Sequence, residues 1–182
     1  MTRTLGPWVI KGTARVYQSP WIEVREDQVI RPDGKAGTFA TVRMKPGVSV
    51  LALDADESVY LTSEFRYAIE RESIEVVSGA IEEDENPLDA AKRELREELG
   101  CEAEEWVELG VVDPFTSIVN SPANLFLARR LNFTATERES TEIIETIKVK
   151  LLEAVQMVMD SRITHGPSCV LILKINHYLN AP

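Results

Sequence analysis

Residues 79–101 read GAIEEDENPLDAAKRELREELGC, and this segment is the most informative part of the chain. Its apolar residues recur at steps of three and four, which places them on one stripe of an amphipathic helix predicted over Pro87–Leu99. The stripe consists of Leu88, Ala91, Leu95 and Leu99. Proline suits the first helical turn, and Gly100 suits the position just after the last turn. The segment therefore predicts one well-delimited helix.

The same helix carries a cluster of acidic residues. Glu94, Glu97 and Glu98 stand at positions i, i+3 and i+4, which places their carboxylates on one helical face. Such like charges repel one another, whereas hard divalent cations such as Mg²⁺ prefer oxygen ligands of this kind. The pattern indicates a metal site. A solvated acidic face is the alternative, because residues 82–105 are acidic throughout.

The spacing of the fixed residues resembles the Nudix box, Gly-x5-Glu-x7-Arg-Glu-U-x-Glu-Glu-x-Gly-U, in which U is a bulky aliphatic residue. The positions in register are Gly79, Glu85, Arg93, Glu94, Glu97, Glu98 and Gly100. Cys101 departs from the pattern at the last aliphatic position, where a cysteine packs as a small hydrophobic residue.

Outside the box, the sequence predicts mostly strands early and helices late, which indicates an α/β (α+β) layered domain. Strands are predicted over 21–30, 37–44, 48–53, 59–61, 73–77, 106–112, 125–128 and 143–149, and closing helices over 151–160 and 168–179. The resemblance implies a Nudix-type α/β/α sandwich with a mixed β-sheet and an N-terminal antiparallel strand extension. It divides the chain into a strand region at 1–46, a dimerisation element, and a Nudix hydrolase domain at 47–182.

The resemblance also implies an activity and a set of ligands. Nudix hydrolases cleave a nucleoside diphosphate linked to another moiety, with Mg²⁺ or Mn²⁺ bound as about two to three ions. Similarity implies that Glu94, Glu97 and Glu98 are catalytic and bind metal together with the backbone carbonyl of Ala80. The remaining fixed residues of the box are expected to support it structurally, with Glu85 and Arg93 as an ion pair and Gly79 and Gly100 at turns.

Residues before the box suggest a subfamily. Glu64–Tyr67 (EFRY) and Glu75–Ala80 (EVVSGA) resemble the approach to the box in ADP-ribose and nucleotide-sugar pyrophosphatases. Arg66 is a candidate contact for substrate phosphate, because a guanidinium grips phosphate bidentately, and Glu75 is a second candidate substrate-binding residue. A surface arginine is the alternative for Arg66. The resemblance implies a Nudix pyrophosphohydrolase acting on ADP-ribose or a nucleotide sugar, in a homodimer.

Glutamates late in the chain complete the candidate site. In the ADP-ribose type, a glutamate of the corresponding loop binds metal or acts as the base. Glu142 aligns best and Glu139 second, while a solvated acidic loop is the alternative. His165 and His177 lack metal-ligand spacing and are expected to cap, pack or face solvent.

Composition narrows the partners and the compartment. The 182 residues carry a formal net charge of −10, which argues against a broad basic face for nucleic acid and against RNA decapping. No apolar run approaches the roughly 18 residues of a membrane span, and no signal-peptide core is present, so we expect no membrane partner. Cys101 and Cys169 form no CxxC pair and fit a reducing compartment, which favours the cytoplasm.

Other functions stay open at this point. The chain could be a non-catalytic sensor that uses the fold to bind nucleotide, or a Nudix hydrolase of dinucleoside polyphosphates or dNTPs. An isomerase acting on a prenyl diphosphate is less consistent with the sequence, because that chemistry needs a positioned cysteine outside the helix.

Overall fold

A computed structural model describes residues 2–133 and 144–180. Along the chain, strands come both before and after the first helix, and two further helices come last. The strands are β1 (Arg3–Leu5), β2 (Trp8–Gln18), β3 (Ile22–Ile30), β4 (Ala36–Met44), β5 (Gly47–Leu53), β6 (Ser58–Arg66), β7 (Arg71–Glu75), β8 (Val77–Ala80), β9 (Cys101–Val112), β10 (Val119–Asn120), β11 (Ala123–Phe133) and β12 (Glu145–Lys150). The helices are α1 (Pro87–Leu99), α2 (Leu151–Met159) and α3 (Gly166–Asn180).

The chain forms two units. One comprises the residues up to Pro46 together with Phe115–Ser121, and the other comprises the rest. The first unit is a sheet in the order β1-β2-β3-β4-β10, antiparallel except for the parallel β4–β10 pair. The hairpin between β3 and β4 turns at Asp33-Gly34, where Gly34 has a φ of 81° and donates to the carbonyl of Arg31 at 2.9 Å. The positive φ explains why glycine stands there.

The second unit is built on a mixed sheet of seven strands. Its main path runs β12-β6-β5-β11-β9, with β7 paired to β6 and β8 paired to β5. The β5–β11 pair is parallel and the other pairs are antiparallel. A parallel pair needs a crossover between its strands, and α1 lies within this connection.

Helices cover both faces of this sheet. The central strand β5 has apolar side chains at consecutive positions, so both of its faces need cover. Val48, Val50 and Ala52 point to the core that contains the buried stripe of α1. Leu51 and Leu53 point to the opposite core, which contains the buried residues of α2 and α3. Side chains of a strand alternate between faces, so a strand buried on both sides requires a helical layer on each.

The predicted elements agree with the structure in part. Helix α1 has the predicted bounds. The single strand predicted over 73–77 is wrong, because the chain leaves β6 after Glu75 and pairs with β5 from Val77 onward. Strands β1, β2 and β10 were not predicted. Among the described residues, no helix has the length and apolar character that crossing a bilayer requires.

Candidate active site

Helix α1 provides the frame of the site. The Asn86 side chain caps its first turn by accepting from the backbone N–H of Asp89 at 3.0 Å. At the other end, Gly100 adopts the left-handed conformation (φ 59°), and its N–H donates to the carbonyl of Arg96 at 2.9 Å. These two caps satisfy backbone groups that a helix end leaves unpaired. They fix the first and last turns, and therefore the direction in which the side chains between them project.

The three predicted glutamates of the helix do not form a fully solvated face. Glu98 is buried, with 7% of its surface exposed, and its Oε1 accepts from the backbone N–H of Ser78 at 3.4 Å. The side chains of Glu94 and Glu97 are 12% and 29% exposed. A carboxylate that loses water at such positions requires a compensating charge or donor. The alternative of a solvated acidic face is therefore disfavoured for this turn.

Arg93 supplies that compensation at the centre of the cluster. Its Nη1 lies 2.7 Å from Glu94 Oε1 and 3.0 Å from Glu97 Oε2. Its Nε and Nη2 lie 2.9 and 3.1 Å from the two carboxylate oxygens of Glu85, and Nη2 also donates to the carbonyl of Ala80 at 2.8 Å. These five contacts match the five N–H groups that a guanidinium can donate. The hydrogen bonds to Glu85, the strongest influence, raise the pKa of Arg93 well above its usual value.

Glu85 is therefore tied to α1 from the loop that precedes it. Besides its two contacts with Arg93, its Oε2 accepts from the backbone N–H of Glu82 at 3.0 Å. The hydrogen bond from Arg93 is the main reason that the pKa of Glu85 lies below its usual value. This pair holds the loop between β8 and α1 against the helix, and with it the carbonyl of Ala80.

Gly79 lies directly against the carboxylate of Glu94. A Cβ atom at this position would come within 1.9 Å of both Cδ and Oε1 of Glu94. A side chain at this position would displace the Glu94 carboxylate, since nonbonded carbon atoms approach to about 3.5 Å. The requirement for glycine here is a matter of close approach, and β8 thereby brings its backbone next to the acidic turn of α1.

Arg66 and Glu75 lie close to this cluster. Arg66 Nε and Nη2 are 3.2 and 2.9 Å from the carboxylate oxygens of Glu75, and Nη1 is 2.7 Å from Glu64. The charges of Glu75, Glu64 and Glu98 raise the pKa of Arg66 against the opposing effect of burial. Ser78, three residues after Glu75, donates its backbone N–H to Glu98 Oε1, which connects this segment to the buried end of the acidic face. Arg66 is therefore a well-anchored group, unlike a free surface arginine.

The donor set suits a hard divalent cation in its chemistry. Glu94, Glu97 and the Ala80 carbonyl all present oxygen atoms to Arg93. The Glu94 carboxylate occupies the space that a side chain at Gly79 would need. Among residues 2–133 and 144–180, no three His, Cys, Asp or Glu side chains are gathered into a metal-binding geometry. The cluster is thus held by the Arg93 cation. The predicted residues Glu139 and Glu142 lie outside the described residues.

The sequence prediction did not include one part of this region. His165 and Ser168, at the start of α3, contact Glu75 and the backbone between β7 and β8. They stand about 90 positions from their partners in the chain, and no local spacing connects the two segments. The only available signal was the identity of His165 as one of two histidines, which the sequence could not link to a site.

Comparison with known proteins identifies the family. The NUDIX domain model matches residues 43–161, more than half of the chain. The chain belongs to the Nudix family. A second model, the nucleoside diphosphate sugar hydrolase N-terminal domain, matches residues 8–42 of this Nudix protein. The family predicted from the box is confirmed.

Individual relatives agree with this membership. The Nudix chain is 27% identical over 146 residues to the ADP-ribose pyrophosphatase of Bacillus subtilis (strain 168), and the aligned region covers 79% of each protein. It is 25% identical over 164 residues to the methanol dehydrogenase activator of Bacillus methanolicus, covering 88% of each. The predicted enzyme class, a Nudix pyrophosphohydrolase, is confirmed by family and relatives together.

A solved structure supports the fold class. The crystal structure of an ADP compounds hydrolase matches with a TM-score of 0.82 and covers 97% of this chain and 96% of its own, at 20% sequence identity. At that identity the match concerns the fold. The predicted α+β class with a mixed sheet is confirmed.

Proposed function

We propose that this Nudix protein hydrolyses the diphosphate bond of ADP-ribose or of a nucleotide sugar, in a reaction that depends on Mg²⁺ or Mn²⁺. The observation that carries the proposal is the arrangement around Arg93, in which Glu94, Glu97 and the Ala80 carbonyl converge beside the buried Glu98. The substrate class is supported by the relative named an ADP-ribose pyrophosphatase and by the N-terminal match to nucleoside diphosphate sugar hydrolases.

The chain's oxygen atoms would hold the divalent ions at this turn. Glu94, Glu97, Glu98 and the carbonyl of Ala80 are the ligands we propose. When bound, such ions neutralise the diphosphate oxygens and lower the pKa of a coordinated water. Arg93 holds these oxygens together, and its bond to Glu85 keeps the Ala80 carbonyl beside the helix. Glu142 or Glu139 remains our proposal for a further ligand or the general base.

Arg66 is the proposed contact for the substrate diphosphate. Its bonds to Glu75 and Glu64 use three of the five N–H groups of the guanidinium and leave two for phosphate oxygens. An arginine already fixed by carboxylates binds phosphate with less loss of side-chain freedom than a mobile one. The chain has a net charge of −10, so a positioned cation matters for an anionic substrate.

Glu98→Gln tests the proposal, because it removes the buried charge and keeps the size of the side chain. We expect hydrolysis to fall about 100-fold or more, as for loss of a group that stabilises the transition state, with the melting temperature changed by only a few degrees. Glu102→Gln is the matched control, since Glu102 is exposed on β9 and has no proposed role. Wild-type turnover in Glu98→Gln would exclude this turn as the metal site.

The substrate is identified by a panel assay with Mg²⁺. ADP-ribose, nucleotide sugars, dinucleoside polyphosphates and dNTPs are compared by the release of AMP or phosphate, and we expect the highest kcat/KM in the first two groups. Binding of these nucleotides without any product would instead favour the sensor function. A preference for dNTPs would contradict the proposed substrate class.

Residues 1–46 remain our proposed dimerisation element. We expect a homodimer in light scattering, and a monomer in a variant with charged substitutions at Val16 and Tyr17, two exposed apolar residues of β2. We also propose that the protein works in the cytoplasm. Neither nucleic acid nor membrane is a proposed partner.

A further inference from the structure

The start of α3 supports the break between β7 and β8. Val76 stands between the two strands, and its backbone N–H donates to Ser168 Oγ at 3.0 Å. Ser168 is fully buried, and its Oγ lies 2.8 Å from His165 Nδ1. A buried backbone N–H outside a strand ladder needs such an acceptor. Ser168 on α3, in contact with His165 just before the helix, therefore holds the point at which the chain changes its strand partner.

The same histidine nitrogen reaches Glu75. His165 Nδ1 lies 3.4 Å from Glu75 Oε2, and Glu75 is buried, with only 5% of its surface exposed. Burial would raise the pKa of Glu75, but the hydrogen bonds from Arg66 outweigh it and hold that pKa below its usual value. Burial in turn lowers the pKa of His165. A neutral ring that faces an ionised carboxylate through Nδ1 carries its proton on that nitrogen.

This constellation of serine, histidine and glutamate is not built for nucleophilic catalysis. Ser168 has no exposed surface, and its hydroxyl is already an acceptor for Val76. Ser168 and Glu75 also approach the same ring nitrogen, whereas a catalytic relay uses the two nitrogens of the ring for different partners. The arrangement fits a supporting role.

Glu75 connects His165 to Arg66. The carboxylate accepts from both Nε and Nη2 of Arg66, so its position sets the plane of the guanidinium. Arg66 has a second anchor, Glu64, on one Nη atom alone. Loss of the His165 contact with Glu75 would leave Arg66 in place but less well oriented.

We propose that His165 is a positioning residue, which orients the Arg66 guanidinium toward the substrate diphosphate by contacting the same Glu75 carboxylate oxygen, Oε2, that Arg66 Nη2 binds. The proposal rests on the proposed function in one respect, the assignment of Arg66 to substrate phosphate. The orientation of Arg66 by His165 is a property of the free protein and is tested separately.

The first measurement observes Arg66 directly. The Nε–H signal of Arg66 is recorded in ¹H–¹⁵N spectra of the full chain and assigned by its disappearance in Arg66→Lys. We expect a sharp, slowly exchanging signal in the wild type and in His177→Ala, which changes the other histidine on the exposed face of α3. In His165→Ala the signal should shift and exchange faster by about tenfold, as expected for a weakened charged hydrogen bond. His165→Asn restores a donor near the Nδ1 position and should recover most of the wild-type signal.

The second measurement follows the substrate. For ADP-ribose we expect KM to rise about fivefold to tenfold in His165→Ala with kcat within about twofold, because the contact acts on binding more than on the chemical step. His165→Asn should return KM toward the wild-type value. If the wild type hydrolyses neither ADP-ribose nor a nucleotide sugar, the proposed function fails, and calorimetric binding of ADP replaces KM as the readout for Arg66.

The two failures are thus distinguishable. An unchanged Arg66 Nε–H signal in His165→Ala overturns the positioning role whatever the substrate is. A changed signal with unchanged KM and unchanged ADP affinity shows that Arg66 does not contact the diphosphate, and this also overturns the proposal as stated. If His165→Ala loses its fold, His165→Leu keeps a side chain of similar size without the nitrogen donor, and an unchanged Arg66 Nε–H signal in that variant overturns the positioning role.

Discussion

Gly79→Ala is the sharpest test of how β8 and α1 meet. The added Cβ would lie 1.9 Å from Cδ and Oε1 of Glu94 and 2.4 Å from Oε2. Nonbonded atoms need about 3.5 Å, so the carboxylate must retreat by about 1.6 Å. The far end of a glutamate side chain can rotate away, and Gly79 has the extended backbone of its strand pair with Val48, so the fold should tolerate the change.

The expected effect is therefore on turnover. A misplacement of about 1 Å in a catalytic group costs about 100-fold in rate, which corresponds to about 2.7 kcal/mol in the activation free energy. We expect kcat for the Mg²⁺-dependent release of AMP from ADP-ribose to fall by at least that factor. The melting temperature, followed by circular dichroism, should change by only a few degrees.

Two comparisons make the test specific. Gly12→Ala is the control, because Gly12 is also a strand glycine and an added Cβ there meets nothing within 4 Å. In a Glu94→Gln background, Gly79→Ala should cost little more, since both changes remove the same carboxylate position. Wild-type kcat in Gly79→Ala would refute the reasoning, because the Glu94 carboxylate would then not need its place over β8.

Two further predictions concern ionisation. Glu85→Gln should lower the free energy of unfolding by about 1 kcal/mol at neutral pH, the usual net value of a hydrogen bond. Because Arg93 holds the pKa of Glu85 below its usual value of 4.5, the ionised pair stabilises the fold above that pH and loses its effect as the pH falls through the lowered pKa. The difference between wild type and variant in urea titrations should therefore shrink as the pH falls below 4.5, and a constant difference would contradict this account. Burial raises the pKa of the Cys101 thiol to about 11 from 9.0, so iodoacetamide at pH 8 should modify it about 100-fold more slowly in the folded than in the unfolded chain, as read by mass spectrometry. Equal rates would show that Cys101 is accessible.

Local patterns predicted the helix correctly. The stripe of apolar residues, the proline at its start and Gly100 at its end are all read from a few neighbouring positions, and the structure has the predicted bounds. The strands were predicted less well where pairing decides them. Residues 73–77 look like one strand, but the ladder passes from β6 to β5 at Val76, and no local signal marks that exchange.

The candidate site shows the same division. The register of the box named Glu85 and Arg93 as an ion pair, and the structure has that pair. The further contacts of Arg93 with Glu94, Glu97 and the Ala80 carbonyl were not predicted, because they depend on side-chain conformation. The roles of these residues in metal binding stay predictions, as does that of Glu142 and Glu139, which lie outside the described residues.

The order of amino acids was enough to give the family, the α1 helix and the identity of its acidic face, because helical periodicity and the spacing of the box act over fewer than about 25 positions. Folding was needed to set the close approach of Gly79 to the Glu94 carboxylate, although both belong to the box, and to bring His165 against Glu75, which lies far from it in the chain. Contacts of this kind arise from the packing of α1 and α3 on the central sheet, and their geometry is set by close packing and by the need to pair buried polar groups.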